Sequence, residues 1–222
     1  MTTQDTIQYT ILYCIEALPF VMSLIYWHKI KETYYKWFAP YLFYIFATDI
    51  IGTILDQNKI PNQVYYDYAV MPVEYLFFYW LFHKTLANTP YSKTPIICTV
   101  IYVVSFIIEN LFFTHQFNSV SSSIGDLLLL ILIVQFFVLL SKNDAILNYR
   151  QNMMFWISIG LLLFYIGTIS YYGLRNTLLE EKKDDFLTWY GTVCDIISEI
   201  TYILFSISFI WGKPQFSQLS ST

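Results

Sequence analysis

Seven apolar runs, each close to the length of a bilayer crossing and joined by short connectors, constrain this chain more than any other feature. A spanning helix needs about 20 mostly apolar residues. Runs of that kind occupy 9–28, 37–55, 64–84, 95–113, 120–140, 153–174 and 190–211. Water cannot be the solvent for such a surface: charged residues are 13% of the 222, against about 25% in an ordinary soluble domain. The expected fold is all-α, a polytopic membrane protein built as a seven-transmembrane-helix bundle over 1–212, with a short flexible tail over 213–222. The N-terminus lacks the positive residues of a secretory signal, so the first run is expected to stay as a span.

Orientation follows from the basic residues of the short loops. Lys29, Lys31, Lys36, Lys84, Lys93, Lys142, Arg150 and Lys213 fall on one side. Lys59, Arg175, Lys182 and Lys183 fall on the other, the last two among acids. The expected location is the cell membrane, multi-pass, with the N-terminus outside and the C-terminus cytoplasmic. An odd central span would give the first and last three runs the same direction, which allows a 3+1+3 parallel repeat. It would pair Glu16 with Asp126 and Glu74 with Glu199.

The chemistry lies in the acids. Glu16, Asp49, Glu74, Glu109, Asp126, Asp195 and Glu199 sit inside the apolar runs, and the proposed orientation puts all seven in the outer half. Every Lys and Arg belongs to a loop or an end, so none is left to pair with them. An uncompensated charge at a helix centre costs about 2.5–3.5 kcal/mol on insertion scales. Protonation, water in an outward-facing cavity or a bound cation would relieve that cost.

Helical spacing groups these acids with hydroxyls. Asp195, Glu199 and Tyr202 form one stripe; Ser119, Ser122 and Asp126 form another; Tyr102, Ser105 and Glu109 a third. The sixth run offers Tyr165, Thr168 and Tyr172 on one face. Prolines at Pro19 and Pro72 free backbone carbonyls close to Glu16 and Glu74.

These patterns point to an outward-facing, carboxylate-lined cavity that binds a cation or cationic small molecule, for transport or sensing. Its ligand-binding candidates are Glu74, Glu199, Asp195, Asp126, Glu109, Asp49, Glu16, Tyr165 and Tyr202. No cofactor is evident, although oxygen ligands alone would suit a hard cation. His28, His83 and His115 show no metal-hydrolase spacing. The expected partners are the lipid bilayer and a small cation or amine; no basic stripe suggests nucleic acid. With no room for a cytoplasmic domain, signalling would need a separate partner protein. Two other readings stay open: an intramembrane acid-catalysing enzyme on a lipid or isoprenoid substrate, and a structural or partner-binding membrane subunit.

Two resemblances accompany these readings. The layout of seven runs, with Asn152-Met-Met-Phe-Trp-Ile-Ser-Ile-Gly160 opening the sixth, resembles a group of small bacterial seven-helix integral membrane proteins that carry no assigned activity. Locally, Pro72-Val-Glu74-Tyr-Leu-Phe-Phe78 is similar to the Pro-x-Glu-(Glu)-x-x-Phe-Phe motif of carotenoid-type lycopene cyclase domains. That similarity implies an intramembrane acid that protonates a polyene. The second glutamate of the motif is replaced by Tyr75, and Ser198-Glu199 lacks the proline of a second copy. A retinal protein is disfavoured because the seventh run carries no lysine for a Schiff base.

Overall fold

A computed structural model describes residues 3–112, 119–142, 144–181 and 184–214. Side chains are described within these ranges except at 3–10, 119, 144–147, 170, 172–176, 180, 184–185 and 187–188. Most of the expected tail and His115 therefore lie outside the described residues, as do the side chains of Tyr172 and Ser119. Among the described residues the chain is helical throughout, with one isolated backbone bridge between Asn152 and Lys213 and no strand.

The helices are α1 (Thr3–Ile25), α2 (Trp27–Ile30), α3 (Phe38–Gln57), α4 (Gln63–Tyr65), α5 (Met71–Thr85), α6 (Thr94–Phe112), α7 (Ser119–Lys142), α8 (Met153–Glu180) and α9 (Asp184–Trp211). Among the described residues four stretches are long and apolar enough to cross a membrane: Tyr34–Gln57, Thr94–Phe112, Val120–Lys142 and Trp189–Trp211. Ile11–Ile25 and Met153–Ile169 are shorter apolar helices. Apolar helices of this kind fit a membrane-embedded protein. The outer faces agree, with Leu111 at 72% and Phe112 at 76% exposure on α6.

Two stretches differ from the sequence expectation. The run at 64–84 is not one α-helix: α4 passes into a π-helical segment, Tyr66–Val70, before α5 begins. Pro72 supplies the physical reason, because it has no N–H to give and its ring crowds the carbonyl one turn earlier. Tyr44 Oη compensates by donating to the Ala69 carbonyl at 2.6 Å. The second difference is the connector between the runs at 153–174 and 190–211. There α8 continues to Glu180 and α9 starts at Asp184, an acid at the positive end of a helix.

Neighbouring long helices close into a ring: α1 packs on α3 and α9, α9 on α8, α8 on α7, α7 on α6, and α6 on α5. The segments flanking α3 and α5 complete the circuit. Local chemistry ties the ends. Asn152 Oδ1 accepts from Met154 N at 2.9 Å and caps α8. Lys29 Nζ donates to the Phe209 and Ile210 carbonyls at 3.2 and 3.0 Å, satisfying the last turn of α9. Near that end the ring is filled with aromatics: Phe38 packs on Tyr41, Phe77, Phe205 and Phe209, with centroids 5.2–5.9 Å apart. Phe38, Phe78 and Phe209 are at most 1% exposed. This plug closes the ring at one end.

Candidate functional site

Beyond the aromatic plug the helices diverge around a cavity of about 440 Å3. Its lining includes Glu16 from α1, Asp49 from α3, Glu74 from α5 and Asp195 from α9. Among the described residues no Lys, Arg or His lines it. Among the described residues the one ion pair is the exposed Lys31–Glu32 contact. Four carboxyls from four helices thus share a space without a basic counterpart.

Each acid next to the aromatic walls is held by a tyrosine. Tyr66 Oη donates to Asp49 Oδ1 at 3.0 Å, Tyr165 Oη to Glu74 Oε1 at 2.7 Å, and Tyr202 Oη to Glu16 Oε1 at 3.4 Å. The Glu16 and Asp49 carboxyls are neighbours on this wall. Tyr13 donates to Thr53 beside them.

The π-helical segment explains how Tyr66 reaches Asp49. Its ring lies directly on Gly52, where a Cβ would meet Tyr66 Oη at 2.3 Å. Gly52 stands one turn after Asp49, so the glycine opens the space through which the hydroxyl arrives. The same device recurs outside the cavity. A Cβ on Gly125 would lie 2.7 Å from the Tyr75 ring, and Tyr75 Oη donates to Asp126 Oδ1 at 2.6 Å and to the Ser122 carbonyl at 3.0 Å.

The candidates named from the sequence therefore divide. Glu16, Asp49, Glu74, Asp195 and Tyr202 line the cavity, and Tyr165 stands behind Glu74. Asp126 does not line it: it is fully buried, held by Tyr75 and with Thr168 Oγ1 at 3.5 Å from Oδ2. Glu109 is elsewhere, accepting from Val120 N at 3.0 Å and Ser121 N at 2.6 Å at the start of α7. Glu199 lies beside the lining rather than in it. The α9 stripe runs through Gly191, Cys194, Asp195, Ser198, Thr201, Tyr202 and Phe205, and Glu199 is turned about 100° from Ser198. Residues expected to pair in a 3+1+3 repeat thus have unlike surroundings: Glu16 and Glu74 line the cavity, Asp126 and Glu199 do not.

Sequence reasoning placed Gly52 after Asp49 but missed Tyr66 and the aromatic walls given by Tyr41, Phe78, Phe164 and Phe205. The only available signal was Asp49-x-x-Gly52, three residues apart on α3. Among the described residues no three His, Cys, Asp or Glu side chains are grouped closely enough to hold a metal ion.

The geometry defines a class: a helical, membrane-embedded protein with an acid- and aromatic-lined cavity. No protein-family model, curated protein or solved structure matches the chain.

Proposed function

We propose that this protein is a seven-span membrane protein whose cavity binds a cation or cationic small molecule, for transport or sensing. The observation that carries the reading is the sharing of one cavity by Glu16, Asp49, Glu74 and Asp195, with no basic side chain on its wall among the described residues. A cation offsets several desolvated carboxylates at once, where a neutral solute would leave the cost in place. In the orientation argued from the loop lysines, the cavity opens outward past Asn62, Gln63 and Gly191. The aromatic plug around Phe38 then faces the cytoplasm.

The test is thermal stabilisation of the purified protein by Mg2+, Ca2+, tetramethylammonium and alkylamines. Stabilisation by at least one of them, lost when Glu16, Asp49, Glu74 and Asp195 are all changed to their amides, is the expected result. Equal behaviour of wild type and a folded amide variant would remove the reading.

A second reading draws on the Glu74–Tyr165 pair. A proton donor flanked by Phe78 and Phe164 suits protonation of an apolar polyene, since aromatic faces stabilise a developing carbocation as they do an ammonium. Turnover of such a lipid, abolished in folded Glu74→Gln, would favour this alternative over binding alone.

A further inference from the structure

We infer that the cavity is shaped for a linear organic polyamine rather than a metal ion or a compact monocation. The inference rests on the cation-binding reading above and names its ligand class.

Shape is the first argument. The lining stripe on α9 extends from Gly191 to Phe205, about 20 Å along the helix axis. The cavity, of about 440 Å3, is bordered by α9 over that whole length, so it can receive an elongated ligand. Its volume still lies in the range of pockets for organic ligands, roughly 300–1,000 Å3.

Charge distribution is the second. The four carboxyls share the cavity but not one point: no three of the described acidic, Cys or His side chains are close enough together to hold a metal ion. A Ca2+ or Mg2+ ion fills its six or more oxygen positions with water where protein ligands are few, so acids that do not converge would hold it singly and loosely. The Glu16–Asp49 pair is met by Tyr202. Asp195 stands seven residues before Tyr202, about 10 Å along α9. Glu74 projects from a third direction, held by Tyr165. Carboxyls set apart along one cavity match ammonium groups spaced along an alkyl chain.

The walls between the acids are the third. Tyr41, Phe78, Phe164 and Phe205 present rings to the passage. Rings accept the methylenes of an alkyl chain and attract its ammonium groups through their faces. A hydrated metal ion gains nothing from such walls. Gln63 adds an independent sign of an absent partner. It lines the cavity, and its buried amide nitrogen has no hydrogen-bond partner. Turned over, that amide offers its carbonyl to an N–H donor.

The test uses the full chain in lipid nanodiscs and isothermal titration with α,ω-diaminoalkanes of increasing length, n-alkylamines of matched length, spermidine, Mg2+ and Ca2+. Diamine affinity is expected to rise to an optimum with chain length and to exceed that of the matched monoamine by about tenfold or more at the optimum. Asp195→Asn and Glu74→Gln should each bring the best diamine down to the monoamine level. The length scan on the wild-type protein stands even if a variant fails to fold. Diamines no better than monoamines, or a metal ion that binds the cavity as tightly as the best diamine, would overturn the inference while leaving cation binding intact. Failure of every cation to bind would remove both.

Discussion

Two groups of carboxyls occupy different sides of the same helical ring, and their hydrogen bonds separate them. On the α6–α7 side, Glu109 spends both oxygens on backbone N–H groups, and Asp126 is enclosed by Tyr75 and Thr168. Around the cavity, Glu16, Asp49 and Glu74 each take one tyrosine donor and face open space. Burial alone does not draw this line, since Glu16 at 3% exposed is as enclosed as Glu109 at 2% and Asp126 at 0%. An acid in an apolar helix is therefore a connector when donors surround it and is left open to a solute when a void does. Residue type alone does not distinguish the two.

The largest effect expected from this contrast is at Glu109. Glu109→Ala strips the acceptors from two N–H groups at the start of α7, where a cap and two charge-assisted bonds are lost together. The cost should be about 3 kcal/mol, read as a shifted unfolding midpoint in detergent micelles. Glu109→Gln keeps one acceptor and should cost about 1 kcal/mol. Cation binding by the folded Gln variant should match wild type; a weakened affinity would merge the two groups and break the contrast.

The paired glycines sharpen it next. Tyr75 is 2% exposed and walled in, so Gly125→Ala forces a buried ring to move and should cost about 2 kcal/mol. Tyr66 borders the cavity and can swing into it, so Gly52→Ala should cost about 1 kcal/mol, chiefly the Asp49 hydrogen bond. Unfolding of the two variants side by side measures the difference. Equal costs would mean that the cavity wall is as tightly packed as the α5–α7 contact.

Smaller again are the stability effects at the cavity acids. Glu74→Gln retains an oxygen for Tyr165, and Asp195→Asn keeps an oxygen at the same place in the wall. Each should change stability by less than about 1 kcal/mol in either direction, while removing most of the cation-dependent stabilisation. A folded variant with full cation response would place that acid among the connectors.

How much of this was legible in advance follows from what periodicity carries. Apolar length and the missing basic partners identified a helical membrane protein and the acids worth following. Phase along α9 correctly joined Asp195 to Tyr202, because those positions are seven apart on one face. The same rule admitted Glu199, since a four-residue step also satisfies it. The curvature of a real lining stripe, which passes through Ser198, turned Glu199 aside. Glu109 was beyond reach for another reason: its partners are main-chain N–H groups of the next helix, and backbone donors carry no sequence signal. Tyr66 was hidden by Pro72, whose effect on the preceding turn could be foreseen as a kink but not as a π-helical widening that aims a hydroxyl at Asp49.

The smallest expected effect tests the void itself. Gly191 lines the cavity, and a Cβ built there meets nothing within 4 Å. Alanine is the better helix former by about 1 kcal/mol at an interior position, so Gly191→Ala should raise stability by up to that amount and leave cation affinity unchanged. At Gly52 and Gly125 the same substitution is expected to destabilise, because a tyrosine ring already fills the space. A larger side chain separates the outcomes further. Gly191→Phe should fold, since the void can receive a ring, but it should block the passage between Asn62, Gln63 and the deeper acids and so abolish cation binding. If Gly191→Phe binds as wild type does, the route to Glu74 does not run past α9; if Gly191→Ala unfolds the protein, that wall is closed and the contrast between filled and open acid sites fails at its most accessible point.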